Sequence, residues 1–554
     1  MMDSMRPILF VALAFICLML YQAWQADYGP KPVETSMPEA GSSTVTESPV
    51  PGATATSTTT AAEPSMTDIP VPAGPATQVE AGASIIRVKT DVLDIAIDTR
   101  GGSIVDTALP TYPVSLDTPE KKVHLLTRDE NRYFVSQSGL MGTTPETAPG
   151  HEAVYTSEQA LYELGEKDEI KVTLKWTGAD GVSVNKVFTF KRGSFAINVE
   201  HQVMNAGSAS WAARDYQQMI RAEYEQKQSA FMYTYMGGAY YTPEDKFSKF
   251  DYDDMRDSNL SIDSQAGWFA MLQHYFVGSW VPATDQQNHY YSKALDRNRF
   301  MLGSYGPAVT VQPGTNHTFE SKFYIGPKLQ KELEALNPNL ELVRDYGWLA
   351  VIAKPMFWVL QKINDYVGNW GWSIIIFTIL LKLVFYKLSE TSYKSMAKMR
   401  KFTPRIQALK DRYGDDKQRL QAAMMEIYKK EKINPMGGCL PMLVQIPFFI
   451  ALYWVLLESV ELRQAPWIFW IKDLSLQDPF YVLPAVMGAS MFIQQKLNPA
   501  PPDPMQAKIM QMLPIVFTIF FIFFPAGLVL YWVMNNILSI SQQYVITKSI
   551  EAKG

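Results

Sequence analysis

One apolar stretch near the end of the chain constrains its folding more than any other feature. From Ile509 to Val545 the sequence is dominated by hydrocarbon side chains, and a bilayer core about 30 Å thick takes only about 20 helical residues. The stretch is therefore too long for one crossing. Phe524-Pro525-Ala526-Gly527 lies in its middle, and proline with glycine is a turn signal. Two spans follow, at about 507–524 and 527–546. Further apolar runs give spans at about 371–388, 440–458 and 479–495, and Ile8–Tyr21 gives a sixth near the N-terminus. This is a polytopic α-helical membrane protein.

The N-terminal run follows Arg6, the pattern of a signal sequence. Cleavage after Ala23 or Ala26 would put Tyr21 or Trp24 at the −3 position, and Ile16 precedes Cys17 where a lipoprotein site needs a small residue. Residues 1–26 are thus expected to be an uncleaved anchor with its N-terminus in the cytoplasm. Residues 27–80 are rich in Ser, Thr, Pro and Ala; such a stretch has too little apolar surface to offset its ordering entropy and reads as a disordered tether.

Between about Ile85 and Ile325 the hydrophobic period changes to two, as in IIRVKTDVLDIAID and VNKVFTFKRGSFAINVEHQV, with RGG, ADG and NAGS as turns. The expectation over 81–327 is a large antiparallel β-sandwich. Its aromatic, glycine-rich stretch Tyr233–Tyr241 reads either as packed strands in a hairpin or as the lining of a groove. The two cysteines, Cys17 and Cys439, lie in or beside apolar segments and supply no disulfide framework to the region between them. Residues 328–370 read as a polar helix interrupted near Pro338, then an amphipathic helix from Trp348 to Trp370 that would lie in the membrane interface.

Charge gives the direction. Residues 389–438 hold twelve Lys or Arg against six Asp or Glu, so this loop should be cytoplasmic and the β region outside. Within it, Met399, Phe402, Ile406, Leu409 and Tyr413 form one helical stripe. Gly414 interrupts, and Leu420, Ala423, Met424 and Ile427 form a second. An antiparallel helical hairpin results, with Pro404 expected to kink its first helix and Asp415 or Asp416 to cap its second. Its basic faces suit anionic lipid, and contact with ribosomal RNA or a nascent chain is a further reading. The tail 549–554 would be cytoplasmic. The net charge of −5 excludes bulk electrostatic binding to nucleic acid.

Lys382 is the residue in a span that most asks for a function. It stands about six residues from the inner end of its helix, roughly 9 Å deep, where a bare cation costs a few kcal/mol. Snorkelling of its stem towards the headgroups is one account. The other is a hydrated pocket, favoured by Thr378 on the same face, Gln445 in the next span, Ser490 and Gln494 in the one after, and Tyr531, Asn535, Ser539 and Gln542 along the last. No Asp or Glu lies mid-span as its partner. For any one of these polar groups an interhelical hydrogen bond is the simpler role.

The run SYKSMAKMRKFTPRIQALKDRYGDDKQRLQAAMMEIYKKEKINPMGGCLPMLVQIPFFIALYWVL, with VELRQAPWIFWIKDLS, DPMQAKIMQMLP and FPAGLVLYWVMNN, resembles the YidC family of membrane protein insertases over about 340–548. Anchor, tether and β region resemble its Gram-negative form by layout. The resemblance implies an inner-membrane protein with a five-helix insertase core at 371–548, an N-terminal anchor and a periplasmic β-sandwich domain. It implies a hydrophilic groove open to cytoplasm and lipid, with an intramembrane arginine whose place Lys382 takes. The groove is expected to involve Lys382, Thr378, Gln445, Tyr531, Trp532 and Asn535, and the cytoplasmic hairpin to make contacts through Lys398, Arg400, Arg405 and Arg412. Implied partners are nascent membrane proteins, the Sec translocon with its accessory subunits, the ribosome and anionic lipid. No cofactor, metal, small-molecule substrate or enzymatic step is expected. Serine proteolysis inside the membrane fails because no histidine follows His317, aspartyl proteolysis because no aspartate lies mid-span. A solute transporter would show inverted repeats, and none is apparent.

Overall fold

The protein is described from a computed structural model, over residues 84–144, 146–224, 234–414, 416–430, 440–498 and 504–551. The expected anchor, the whole of the expected tether, Cys17 and Cys439 lie outside these residues.

Strands run from Ile85 to Pro327 and form two sheets, eleven-stranded and nine-stranded among the described residues. The period-two pattern is what builds them. Along Ile85–Lys89 the buried positions are Ile86 and Val88, and along Ala196–Asn205 burial alternates in the same way. The sheets face each other across a core that takes Ile95, Phe134 and Met219 from the first and Phe188, Val199 and Trp280 from the second. Trp280 also bonds across it, its indole N–H donating to Ser136 Oγ at 2.9 Å. The expected sandwich is therefore present, with one departure from antiparallel pairing: Arg87–Lys89 runs parallel to Leu161–Glu163. The Gly-rich aromatic stretch is packed strand where it is described. Gly237–Thr242 pairs with Lys246–Phe250 and with Trp268–Leu272, and Tyr241 stacks on Trp268; Tyr233 lies outside the described residues.

Ten helices are described among these residues. α1 (Tyr252–Asp257) interrupts the strands. α2 (Gln330–Leu336) and a short 3-10 turn at Leu340–Val343 form the interrupted polar segment expected around Pro338. α3 (Ala350–Val367) buries Ala353, Met356, Phe357 and Leu360 on one face. On its other side Val351, Trp358 and Tyr366 are 84%, 60% and 91% exposed, beside the exposed charges Lys362 and Asp365. α4 (Trp370–Val384) and α5 (Tyr386–Tyr413) follow, then α6 (Lys417–Lys430), α7 (Leu440–Glu458), α8 (Val482–Leu497), α9 (Pro504–Phe521) and α10 (Ala526–Glu551).

The Phe524-Pro525-Ala526-Gly527 break separates α9 from α10 as expected. The first amides of α10 have no partners within the helix; those of Ala526 and Gly527 donate to the carbonyls of Leu476 and Leu474, at 2.7 and 2.9 Å. The apolar run over 371–388 is not one straight helix. α4 ends at Val384, and α5 leaves it at 66° through Phe385. Phe385 adopts φ −90° and ψ 10° and packs edge-on against Phe448 of α7. α5, in contrast, continues through Pro404, so the bend lies at Phe385, where no proline or glycine marks it. Among the described residues no single helix is long and apolar enough to cross a membrane; α4 taken together with the first part of α5, to Met396, has the length and composition of a broken span. Polar residues along these helices define the site below.

Candidate groove and the outer junction

α10 is the centre of the helical region, packed against α4, α5 and α8. Its two asparagines point to different neighbours. Asn535 Oδ1 accepts from Gln445 Nε2 of α7 at 3.5 Å, the outer limit of such a bond. Asn536 Nδ2 donates to Ser490 Oγ of α8 at 3.0 Å. One turn further on, Ser539 sits between α10 and α4. Its hydroxyl donates to Asn535 O at 2.7 Å and accepts from Lys382 Nζ at 2.7 Å. Lys382 is 5% exposed; its stem turns to α10 instead of reaching for the helix end. Among the described residues no carboxylate pairs with it, and Ser539 is its one side-chain partner. Tyr393 of α5 donates to Ser539 O at 3.4 Å.

The expected groove residues divide. Lys382, Gln445 and Asn535 are joined through α10. Thr378 is buried, but its hydroxyl donates to Ile374 O of its own helix at 2.7 Å; back-bonding satisfies it locally. Tyr531 is buried and stacks with Phe449 at 6.3 Å, and Trp532 packs against the same ring at 4.8 Å. The Trp532 indole N–H is buried without an acceptor among the described residues. Ser539, Asn536 and Tyr393 belong with the site as well. Ser490 and Ser539 stood out in the sequence as polar groups inside spans, whereas Asn536, the partner of Ser490, and Tyr393 did not. Arg405 and Arg412 of the hairpin are exposed and lie beside Phe402 and Tyr413. The side chains of Lys398 and Arg400 lie outside the described residues.

A second polar cluster, which the sequence did not announce, ties the β domain to the helices. Lys328, directly after the last strand, lies 3.7 Å from Glu458 at the end of α7. Arg344 reaches Glu461 at 3.1 Å and Ser459 Oγ at 2.9 Å. His274 Nε2 donates to Leu457 O at 2.9 Å, and Arg463 donates to Pro113 O at 2.7 Å. Both Lys328 and Arg344 are nearly fully buried. Burial pushes the Lys328 ammonium below its ordinary value against the pull of Glu458. Burial and the neighbouring Lys328 hold His274 down to about 4, so it is neutral at physiological pH.

Two family models match the chain. The YidC periplasmic domain covers residues 85–359 and the 60Kd inner membrane protein covers 362–553. A membrane protein insertase YidC from Thioalkalivibrio sulfidiphilus is 51% identical over the full length of both chains. Another from Methylococcus capsulatus is 46% identical over 99% of each. A crystal structure of an active YidC insertase with its first transmembrane domain resolved aligns over 86% of this chain and 95% of that one, at 17% identity and a TM-score of 0.38. The sequence matches span both halves of the molecule, and the chain belongs to the YidC family: it is an inner-membrane insertase of membrane proteins, not an enzyme, with a periplasmic β domain.

Proposed function

We propose that insertion runs through the polar seam around Lys382, with the β domain, the loop 459–478 and the outer ends of the helices on the periplasmic side and both termini and the α5–α6 hairpin in the cytoplasm. The observation that carries the proposal is Lys382 itself. An ammonium has three donors, and among the described residues Ser539 Oγ alone accepts from it. Its neighbours Gln445, Asn535 and Ser539 are neutral. A buried cation without a counter-ion is under-satisfied, and an acidic, extracytoplasmic segment of a client supplies what is missing. The segment's desolvation cost falls as it meets Lys382, while its apolar span moves sideways into lipid, gaining about 0.8 kcal/mol per buried CH₂.

Clients are nascent membrane proteins. The exposed Arg405 and Arg412, in a loop of high Lys and Arg content, support docking of the hairpin on anionic lipid and on ribosomal RNA, and cooperation with the Sec translocon and its accessory subunits follows from family resemblance. The test is substitution with a matched pair of clients. Lys382→Arg should retain insertion. Lys382→Ala should impair clients with acidic translocated tails and spare those with short neutral ones, and neutralising the acidic residues should shrink the defect. Equal insertion of every client by Lys382→Ala, with a photo-crosslinker at 382 capturing only lipid, would remove the electrostatic step and the groove together.

A further inference from the structure

On another face of the helical region, α4, α8 and α10 enclose an apolar groove of about 430 Å³ whose lining contains no polar residue apart from the tryptophan indole N–H groups. Its floor runs from Leu530 to Ile537 on α10, and Trp372 of α4 and Val486 of α8 stand on its flanks. Its outer end is roofed by 467–471.

The roof is built, not merely present. Asn369 Nδ2 donates to Trp467 O at 3.1 Å, and the Trp467 amide donates to Ile471 O at 2.9 Å. Gly371 lies under the indole, where a Cβ would stand 2.2 Å from Trp467 Cδ1. Trp470 points its N–H at Asp478 Oδ1, 2.9 Å away. The N–H of Trp467, in contrast, is buried and has no acceptor among the described residues. A buried tryptophan N–H ordinarily finds one. Lys472, exposed, follows the roof.

Length selects the occupant. Leu530 to Ile537 is eight residues, about 10 Å of helix, whereas one leaflet of a bilayer holds about 15 Å of hydrocarbon and a spanning helix needs about 30 Å of face. The groove lies under the 467–471 roof and its floor ends at Ile537, about 16 Å along α10 from Ala526, about the depth of one leaflet, too short for a second helix and suited to one lipid chain. We infer that it is a binding site for a glycerophospholipid of the outer leaflet, with one acyl chain in the groove, an ester carbonyl accepting from the Trp467 indole N–H, and Lys472 beside the phosphate. The inference rests on the membrane orientation proposed above.

The experiment uses the full chain in nanodiscs of phosphatidylethanolamine and phosphatidylglycerol, released into detergent for native mass spectrometry. The wild-type chain should retain a phospholipid. Val486→Trp, which fills the groove, should lose it, and Trp467→Phe, which keeps the shape and removes the N–H, should retain less. A photoreactive residue at position 486 should give an adduct with the mass of a phospholipid. Equal retention by wild type and Val486→Trp, or capture of a polypeptide at position 486 (a second copy or another membrane protein), overturns the site. If Val486→Trp does not fold, Trp467→Phe and the adduct decide. Client insertion in vesicles of the same lipids is measured alongside. Its failure in the wild-type chain counts against the proposed function, and lipid retention is read independently of it.

Discussion

At the scale of single residues, the two halves of the molecule handle buried charge differently. In the β domain Lys186 is fully buried, and Nζ donates to Gly101 O at 2.8 Å and Ser138 O at 2.7 Å. A neutral amine has two N–H groups, enough for both carbonyls, and burial pushes its pKa down to about 7. Below that value the folded and unfolded chains are both protonated and the cost of burying the charge is fully present. Between 7 and the ordinary 10.5 the unfolded chain keeps its proton while the folded one sheds it, so stability rises with pH. The thermal midpoint of the β domain should climb across this window, and Lys186→Met should flatten the climb; an unchanged slope in the variant would show that other groups produce it. At the outer junction the charges are paired instead. Glu461→Ala leaves Arg344 buried without its carboxylate and should cost about 3–5 kcal/mol, whereas Arg344→Met combined with Glu461→Leu should recover most of the loss. Denaturation in detergent, read by circular dichroism, checks both.

At the scale of elements, local signals set helix ends well and directions poorly. Asp416 caps α6, its carboxylate accepting from the Arg419 amide at 3.1 Å, and this was legible in Gly414-Asp415-Asp416 before Lys417. Asp416→Ala should cost about 1 kcal/mol of local helix stability, seen as faster hydrogen exchange at the amides of 418–420 with the rest of the chain unaffected. The bend between α4 and α5 had no such signal. Proline at 404 is where a kink is expected from sequence, yet α5 runs through it. Phe385 turns the chain because its ring packs edge-on to Phe448, 5.0 Å away on α7. Phe448→Ala should loosen the 66° angle, broadening spin-label distances between 376 and 410; an unchanged distribution would place the cause of the bend elsewhere.

At the scale of the whole molecule, the proposed orientation and the junction each carry a prediction. Cysteines placed within 100–320 or 462–476 should react with an impermeant reagent from outside, and those within 400–430 should not; labelling of 400–430 would overturn the orientation. Deleting most of 85–320 while retaining Lys328 to Arg344 keeps the partners of Glu458 and Glu461 and should leave insertion largely intact. Extending the deletion through Arg344 strands both carboxylates at the end of α7 and should abolish it in a stably expressed chain. Equal activity of the two deletions would reduce the junction to a tether.

Much was legible in the sequence because it depends on local period and composition. Alternation of apolar residues specified strands between Ile85 and Pro327, since a strand shows its neighbours two faces. The proline–glycine break in the last apolar stretch specified α9 and α10. Lys382 was singled out because a cation in an apolar helix is costly wherever that helix packs. What it bonds to was decided only by tertiary structure. Ser539 is its partner, whereas Thr378, on its own face, bonds backward to Ile374. The junction of Lys328, Arg344, Glu458 and Glu461 was invisible for the same reason. The two partners of each pair are more than a hundred residues apart, and in sequence each is an ordinary charge; only the docking of the last strand of the β domain against the end of α7 removes them from water and makes the pairing obligatory.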